Sequence, residues 1–160
     1  MQTSAPEWFT RAIHAPQTSR TVAVDGCAIH YLAWGDAGLP GILFVGASGA
    51  HAHWYDHIAP LLTDQFHIVA IDLSGCGDSG RREAYSQALL TAEIAGVIAD
   101  SGLLEAGAPP TVVGHSGGAQ AAVRAAQIHG ADWLGVIAAD GLRYAELETD
   151  HAVKAPSGDR

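Results

Sequence analysis

Four short stretches of the chain are almost continuously apolar and rich in β-branched residues. They cover residues 42–45, 66–71, 111–113 and 133–139. A strand with one face in solvent alternates apolar and polar residues, whereas a parallel strand covered on both faces is apolar throughout. These four stretches therefore predict buried parallel strands.

Segments with helical spacing lie between these strands. Leu90, Ile94 and Val97 recur at the spacing of one helix face, and an alanine-rich segment covers residues 117–129. A further helix is expected near residues 54–62. Strands that alternate with helices are typical of a doubly wound α/β domain, so we expect a mainly parallel sheet with helices on both faces.

A β-hairpin is expected at the start of this sheet. Two β-rich runs at residues 21–24 and 27–34 flank the pair Asp25-Gly26. An Asp-Gly pair between two such runs is a strong signal for a tight turn. We expect the first strand of the hairpin to be the antiparallel one.

Length and composition indicate one domain. The chain has 160 residues and 48% of them are hydrophobic, which is enough for one sizeable core, so residues 1–160 are expected to form a single domain. The polar ends, residues 1–19 and 146–160, are expected to be loosely ordered. The net charge is −9, and nucleic acids and anionic membranes attract basic surfaces, so neither is expected as a partner.

Cysteine usage and the lack of a long apolar segment predict a cytoplasmic location. Cys27 and Cys76 lie far apart and have no metal-binding or redox spacing, so they are expected to be free thiols. The N-terminal residues 1–17 do not resemble a secretory signal. No segment reaches the roughly 18 apolar residues that predict a membrane span.

The most informative motif is Gly-His-Ser-Gly-Gly at residues 114–118. It follows a predicted strand and precedes a predicted helix, which is the context of a G-x-S-x-G nucleophile elbow. The bend is sharp, and side chains two residues before and after the serine would collide in it. The motif therefore predicts that Ser116 stands in a strained turn above the sheet.

Three segments in order resemble the N-terminal half of the α/β-hydrolase superfamily. They are residues 44–54, which resemble the oxyanion loop, residues 69–81, which resemble the D-x-x-G-x-G-x-S loop, and the elbow. The resemblance implies a serine hydrolase that acts on a small ester-like or related acyl substrate, without a cofactor or metal. It implies Ser116 as the nucleophile and the backbone N–H groups of Gly117 and Ser48 as oxyanion donors. A serine at the elbow disfavours the epoxide hydrolase and dehalogenase branches, which use aspartate there.

Two departures from the family pattern change what is expected of this chain. Gly46-Ala47 stands where the family usually has His-Gly, so the loop is strained if Ala47 must adopt a glycine conformation. The family's triad acid and histidine, and its last two strands, have no counterpart here, so the chain resembles a truncated form with impaired activity. The alternative is a non-catalytic binding or interaction module, which self-associates through the uncovered sheet edge at residues 133–139.

Other polar residues offer weaker candidates for the missing groups. Asp140 ends a strand after the elbow, where a few family members place the acid, although a structural aspartate is the favoured interpretation. His115 is expected to point away from the reacting face. His129 and His151 lie outside the matched motifs and are expected to be exposed to solvent.

Two further motifs and one charged run are expected to have simple structural explanations. His51, His53 and His57 approach a zinc motif, but one residue too many separates the ligands, so they are expected to line the pocket mouth. Residues 75–80 match G-x-G-x-x-G, but no helix opens on these glycines, which favours a plain turn over a nucleotide site. Residues 81–83, Arg-Arg-Glu, are expected to form a solvated loop.

Overall fold

The computed structural model describes residues 4–141 and 153–154. Three helices, eight strands and three short 3-10 turns make up these ranges. The helices are α1 (Glu7–Ile13), α2 (Gln87–Asp100) and α3 (Gly117–His129); the strands are β1 (Thr18–Val24), β2 (Cys27–Trp34), β3 (Gly41–Val45), β4 (His67–Ile71), β5 (Ala84–Tyr85), β6 (Thr111–His115), β7 (Gly135–Ala139) and β8 (Val153–Lys154); the 3-10 turns are Ala52–Tyr55, Ala59–Leu61 and Gly130–Asp132.

Six strands form one mixed sheet in the order β1-β2-β4-β3-β6-β7. β4, β3, β6 and β7 are parallel to one another, whereas β2 is antiparallel to both β1 and β4. The predicted α/β class with a mainly parallel sheet is confirmed. The prediction for the hairpin is corrected: β2, not the first strand, is the one that runs against the parallel strands.

Alternate side chains of the central strands enter two separate cores. On one face, Leu43, Val69 and Val112 pack with Ile94 and Ala122 of α2 and α3. On the other face, the core is smaller and contains eight buried residues: Leu32, Trp34, Phe44, Ala52, Tyr55, Ala59, Ile68 and Ala70. Every residue of β4 is buried, which is what a continuously apolar central strand predicts.

The helix expected near residues 54–62 is replaced by two 3-10 turns, Ala52–Tyr55 and Ala59–Leu61. Pro60 explains the difference. Its nitrogen carries no hydrogen to donate, and its ring disfavours the α conformation in the preceding residue. A continuous α-helix through this segment would lose a backbone hydrogen bond, so the chain covers the smaller core with short turns instead.

Both ends of the chain contain regular secondary structure where the sequence predicts loose order. α1 and the first residues of β1 lie within residues 1–19, where the sequence predicts loose order. Of residues 146–160, only Val153 and Lys154 are described, and β8 pairs there with β5. His151 lies outside the described residues. Within the described ranges, none of the helices combines the length and apolar character that crossing a bilayer requires.

Candidate active site

Ser116 occupies a strained bend between β6 and α3. Its backbone angles are φ 52° and ψ −118°, in a region that costs a non-glycine residue on the order of 1–3 kcal/mol. Two backbone hydrogen bonds of 3.0 Å or less hold the bend. The Ser116 N–H donates to the carbonyl of Ala139 at 2.9 Å, and the Ser116 carbonyl accepts from the N–H of Ala119 at 3.0 Å. The predicted strand, sharp turn and helix are therefore all present.

The glycines around Ser116 are required by close backbone contacts. A β-carbon on Gly114 would lie 2.6 Å from Ala119 Cα and from the Gly118 carbonyl oxygen. A β-carbon on Gly118 would overlap the carbonyl oxygens of Val45 and Gly46. Side chains at these two positions would force the helix away from the strands, which is the collision that the elbow motif predicts.

The backbones of Gly117 and Ser48 lie side by side at the start of α3. A β-carbon on Gly117 would overlap the Ser48 hydroxyl and would lie 3.4 Å from the Ser48 nitrogen. In the described part of the chain, the Ser48 N–H donates to no other group. Gly117 is the first residue of α3, so its N–H has no partner within the helix. Two free N–H groups and the positive end of a helix thus adjoin Ser116.

The loop that carries Ser48 is not strained at Ala47. The described non-glycine residues with positive φ are Asp25, Ser116 and Asp140, so Ala47 does not adopt a glycine conformation. Gly49 supplies the left-handed residue of this loop instead, with φ 79°, and the Ala50 N–H closes the turn on the Ala47 carbonyl at 2.9 Å. Replacing His-Gly by Gly-Ala therefore leaves the loop in an ordinary conformation.

A pocket of about 300 Å³ opens beside these groups. Gly117 and Ser48 form one side of it, and the loop after β4 forms the other. Its walls are the following thirteen residues: Gly46, Ala47, Ser48, Gly49, Ala50, Ile71, Leu73, Ser74, Cys76, Tyr85, Leu90, Gly117 and Gly118. A cavity of this size falls at the lower end of the range for small-molecule sites.

Asp72 fixes the position of both loops that form the pocket. Its buried carboxylate accepts from the ring of His30 at 2.8 Å, from the Ala52 N–H at 2.5 Å and from the Asp78 N–H at 2.9 Å. The second ring nitrogen of His30 hydrogen-bonds the Ser19 hydroxyl at 2.9 Å. One carboxylate therefore joins the loop after β3, the loop after β4 and the hairpin, and we interpret His30–Asp72 as structural.

Arg82 is not solvated, so the expectation for residues 81–83 is wrong at this position. Its guanidinium donates to the Glu93 carboxylate at 2.8 Å and to the carbonyls of Val24 and Asp25 at 2.8 and 3.0 Å. The Arg82 side chain is 9% exposed and that of Glu93 is 0% exposed. Glu93 also accepts the Ser74 N–H at 2.9 Å. Arg82 therefore ties the loop after β4 to the hairpin and α2, a role that no local pattern signals.

The histidines at positions 51, 53 and 57 do not converge on one point. His53 pairs with Asp56 at 2.8 Å, and the ring of His57 packs against Phe9. Among the described residues, the metal-ligand atoms that cluster within 4.8 Å belong to His30, Asp72 and Asp78, not to these three. The exposed zinc motif therefore has no zinc-binding geometry.

The G-x-G-x-x-G segment at residues 75–80 forms a closed loop turn, as expected. The Gly75 N–H donates to the Gly80 carbonyl at 2.8 Å. The next helix, α2, begins only at Gln87. Because its N-terminus does not open on these glycines, they cannot present that helix end to a pyrophosphate as a dinucleotide fold does.

Comparison with known proteins decides the family. The model of the alpha/beta hydrolase family matches residues 42–159, which is most of the chain. The chain belongs to the α/β hydrolase family. Epoxide hydrolase A of Mycobacterium tuberculosis is 32% identical over 126 residues, which are 76% of this chain and 38% of that protein.

Solved structures of other α/β hydrolases share this architecture. A membrane phospholipase A superposes with a TM-score of 0.72 at 26% identity, over 84% of this chain and 42% of that one. Epoxide hydrolase A of Mycobacterium thermoresistibile gives a TM-score of 0.68 at 26% identity, over 77% of this chain and 39% of that one. The thioesterase domain of the curacin biosynthetic pathway superposes with a TM-score of 0.68 at 25% identity. The match covers 76% of this chain and 43% of that one. The chain thus spans about two fifths of each relative's length.

Neither His115 nor His129 of this α/β hydrolase is placed to act as a base for Ser116. His115 is exposed and lines a separate pocket with Trp54 and Tyr55, on the other side of the Ser48 loop. His129 is exposed at the far end of α3, about 20 Å along the helix from the elbow. Within the described ranges, no hydrogen bond joins the Ser116 side chain to a histidine.

Asp140 lies beside the elbow, next to Ala139 in sequence, and forms no hydrogen bond to the serine side chain. It is exposed, has φ 51°, and directly follows Ala139, whose carbonyl holds the Ser116 N–H. No hydrogen bond of its carboxylate to a described residue is present. This placement fits the favoured interpretation of Asp140 as a strand-end residue.

Tyr55 is buried and lines the second pocket together with the Ser48 loop. Its ring stacks on Phe44 with centroids 4.5 Å apart, and burial raises the pKa of its phenol above the ordinary value of 10.0. The phenol therefore stays protonated at neutral pH. It can donate a hydrogen bond in the second pocket but cannot act as a base there.

The contact between Gly117 and Ser48 makes a testable prediction. Gly117→Ala places a methyl group on the Ser48 hydroxyl, so the loop must shift and the Ser48 N–H, the predicted oxyanion donor, moves. We expect the rate at which a fluorophosphonate labels Ser116 to fall by roughly threefold to tenfold. Complete removal of an oxyanion-hole donor costs more, at least ~100-fold in other enzymes. The rate is measured by intact-protein mass spectrometry.

The double variant Ser48→Ala/Gly117→Ala separates this clash from other effects of the methyl group. It removes the hydroxyl and leaves the Ser48 nitrogen at 3.4 Å from the new methyl, so most of the rate should return. Gly135→Ala is the matched control, because a β-carbon there meets nothing within 4 Å. A double variant as slow as Gly117→Ala would contradict the proposed contact.

Proposed function

We propose that this α/β hydrolase is a serine hydrolase that acts on small ester-like or related acyl substrates. The observation that carries the proposal is the strained backbone of Ser116, φ 52° at the first turn of α3, next to the free N–H groups of Gly117 and Ser48. Strain of this kind persists where the surrounding structure enforces it, and it clusters at active sites. The 300 Å³ pocket beside these groups provides room for an acyl group.

The chemistry begins with attack of the Ser116 hydroxyl on the substrate carbonyl. The carbonyl oxygen becomes an oxyanion, which the N–H groups of Gly117 and Ser48 and the N-terminus of α3 stabilise. Collapse of this intermediate expels the alcohol or phenol and leaves an acyl group on Ser116. Water then attacks the acyl-enzyme, and Ser116 and the carboxylic acid are released.

Acylation requires a base that takes the proton of the Ser116 hydroxyl and passes it to the leaving group, and deacylation requires a base that takes a proton from water. The described part of the chain offers no such base to Ser116. A serine hydroxyl is a poor nucleophile until an adjacent base takes its proton. Enzymes that lose a triad member keep a residual acceleration of about 10³–10⁴ over water, from the oxyanion hole and binding alone. We therefore expect slow acylation, slower deacylation and little steady-state turnover.

The relatives leave the bond type open, and Ser116 favours an acyl substrate. Epoxide hydrolases are among them, but a phospholipase and a thioesterase have the same fold. Attack by serine on an acyl carbon gives an ester that water can cleave. The epoxide hydrolase and dehalogenase branches, as the resemblance implies, use aspartate at this position.

A p-nitrophenyl ester tests the proposal. Mixing the chain with p-nitrophenyl butyrate should release close to one equivalent of p-nitrophenol in a slow burst, followed by a much slower steady state. Intact mass should rise by one butyryl group, and digestion should place that group on Ser116. Release without an acyl-enzyme, or acylation only at other residues, would contradict the proposal.

The exposed edge of the sheet favours a second candidate, an association module. Leu134 is 75% exposed and Ile137 is 57% exposed, and residues 134–139 contain no charge or proline to protect the strand. Pairing of β7 with the same strand of a second copy would cover the exposed strand edge in both copies. A dimer in light scattering that Ile137→Lys dissociates would support this role, and a monomer at all concentrations would exclude it.

A further inference from the structure

Ser74 is a buried polar residue in the wall of the 300 Å³ pocket. It is 5% exposed, and its hydroxyl has no hydrogen-bond partner among the described residues. Its backbone is held firmly, because the Ser74 N–H donates to Glu93 at 2.9 Å. The side chain alone is therefore left without a partner. Its oxygen is fully buried in this conformation, so a ligand in the pocket reaches it only after rotation about the Cα–Cβ bond.

An unpartnered buried hydroxyl at a pocket wall calls for a physical explanation. Buried polar side chains in folded proteins nearly always have a partner, and an exception indicates a missing ligand, ion or water. A buried water needs two to four polar partners. Of the pocket walls, Ile71, Leu73 and Leu90 offer no polar side-chain atom, whereas Ser48 and Tyr85 carry hydroxyls. A ligand that brings its own oxygen atom satisfies Ser74 without needing further polar groups.

A second hydroxyl lies on the same wall. The Tyr85 phenol accepts the Arg82 N–H at 3.2 Å and lies 2.7 Å from the position that a β-carbon on Gly75, the residue after Ser74, would occupy. In the described part of the chain the phenol donates its proton to no acceptor. The pocket therefore combines an apolar body with hydroxyl donors on one side.

The size of the pocket limits the acyl group. An apolar cavity of about 150 Å³ holds one benzene molecule. A pocket of about 300 Å³ therefore has room for roughly a dozen non-hydrogen atoms at that density. This corresponds to a medium-chain acyl group whose carbonyl reaches the N–H groups of Gly117 and Ser48.

We propose that Ser74 determines specificity by hydrogen-bonding an oxygen substituent on a medium-chain acyl group, so that the preferred substrates are esters of hydroxy or oxo acids. This inference rests on the proposed function, because it assigns the pocket to the acyl part of the substrate. An acyl group without an oxygen substituent would leave the Ser74 hydroxyl unpaired, so such a substrate is disfavoured. We expect a preference of about tenfold for the correctly placed oxygen.

Binding of free carboxylic acids tests the role of Ser74 without requiring turnover. Octanoate and its hydroxy and oxo isomers at each chain position are titrated calorimetrically into the wild type and into Ser74→Ala. We expect one or more isomers to bind the wild type about tenfold more tightly than octanoate. Ser74→Ala should reduce this preference to about twofold or less, and it keeps the backbone bond to Glu93.

Ser101→Ala is the matched control, because the Ser101 hydroxyl is also buried and unpartnered among described residues but does not line the pocket. It should keep the wild-type preference. Ser74→Gly provides a second variant if Ser74→Ala does not fold. Equal binding of all isomers by the wild type, no binding of any acid, or a preference that survives both Ser74 variants would overturn the inference.

The same titration keeps the two proposals apart. Calorimetry does not involve the Ser116 hydroxyl, so a Ser74-dependent preference in a chain that never forms an acyl-enzyme would overturn the serine hydrolase and leave the binding site standing. Acylation of Ser116 without any Ser74-dependent preference would overturn only the specificity role.

Discussion

Ser116→Ala is expected to abolish covalent labelling of the chain by a fluorophosphonate. The hydroxyl at the bend is the group that would attack phosphorus, and alanine has no atom to replace it. We expect the labelled fraction to fall by at least about 100-fold relative to the wild type at equal reagent and time. Intact-protein mass spectrometry measures the fraction, and digestion locates the label.

The backbone of Ser116→Ala should remain folded, so the loss of label can be assigned to the hydroxyl. Both interactions that hold the bend, to Ala139 and Ala119, use backbone atoms of residue 116. Ser101→Ala removes a buried hydroxyl away from the pocket and should label like the wild type. Labelling of Ser116→Ala at the wild-type rate would show that another residue reacts, and the nucleophile assignment would be wrong.

Arg82→Met is expected to cause the largest loss of stability among single surface-loop substitutions. It leaves the Glu93 carboxylate, which is 0% exposed, buried without its cation. Removing one partner of a buried ion pair typically costs about 3–5 kcal/mol. The carbonyls of Val24 and Asp25 lose their donors as well. Urea unfolding at pH 7 should show this as a lower midpoint with an unchanged slope.

Arg81→Met is the matched control for this experiment. Arg81 is the neighbouring arginine, and it is exposed, so its replacement should change the free energy of unfolding by no more than about 0.5 kcal/mol. Arg82→Met/Glu93→Met removes both charges and should recover much of the loss. If Arg82→Met cost the same as Arg81→Met, the buried pair would not stabilise the fold.

The fold could be predicted wherever short-range patterns decide it. The Asp25-Gly26 turn, the continuously apolar β4 and the helix over residues 117–129 all follow from neighbouring residues. The elbow is the clearest case, because the steric limits at Gly114 and Gly118 act within a few residues of Ser116. The helix expected near residues 54–62 is wrong although the contrary signal is local, because Pro60 argues against a continuous α-helix.

The candidate site could be predicted only in part. Ser116, Gly117 and Ser48 are recognisable from motif and family resemblance, and the structure places Gly117 beside Ser48. The environment of Ser74 and the role of Asp72 were missed, because their partners belong to other segments. Asp72 contacts His30 across 42 positions of sequence, and nothing near Asp72 in the chain indicates that pairing.

By itself, the sequence determined the strands of the six-stranded sheet, the two long helices and the bend at Ser116, because apolar periodicity and glycine stereochemistry operate over a few residues. Only the tertiary structure decided which polar side chains are buried and what they bind. Arg82 and Arg81 are chemically identical neighbours, yet one is buried against Glu93 and the hairpin and the other is exposed. That difference arises because burial depends on residues up to 58 positions away, such as Val24, which come together only when the sheet and α2 pack.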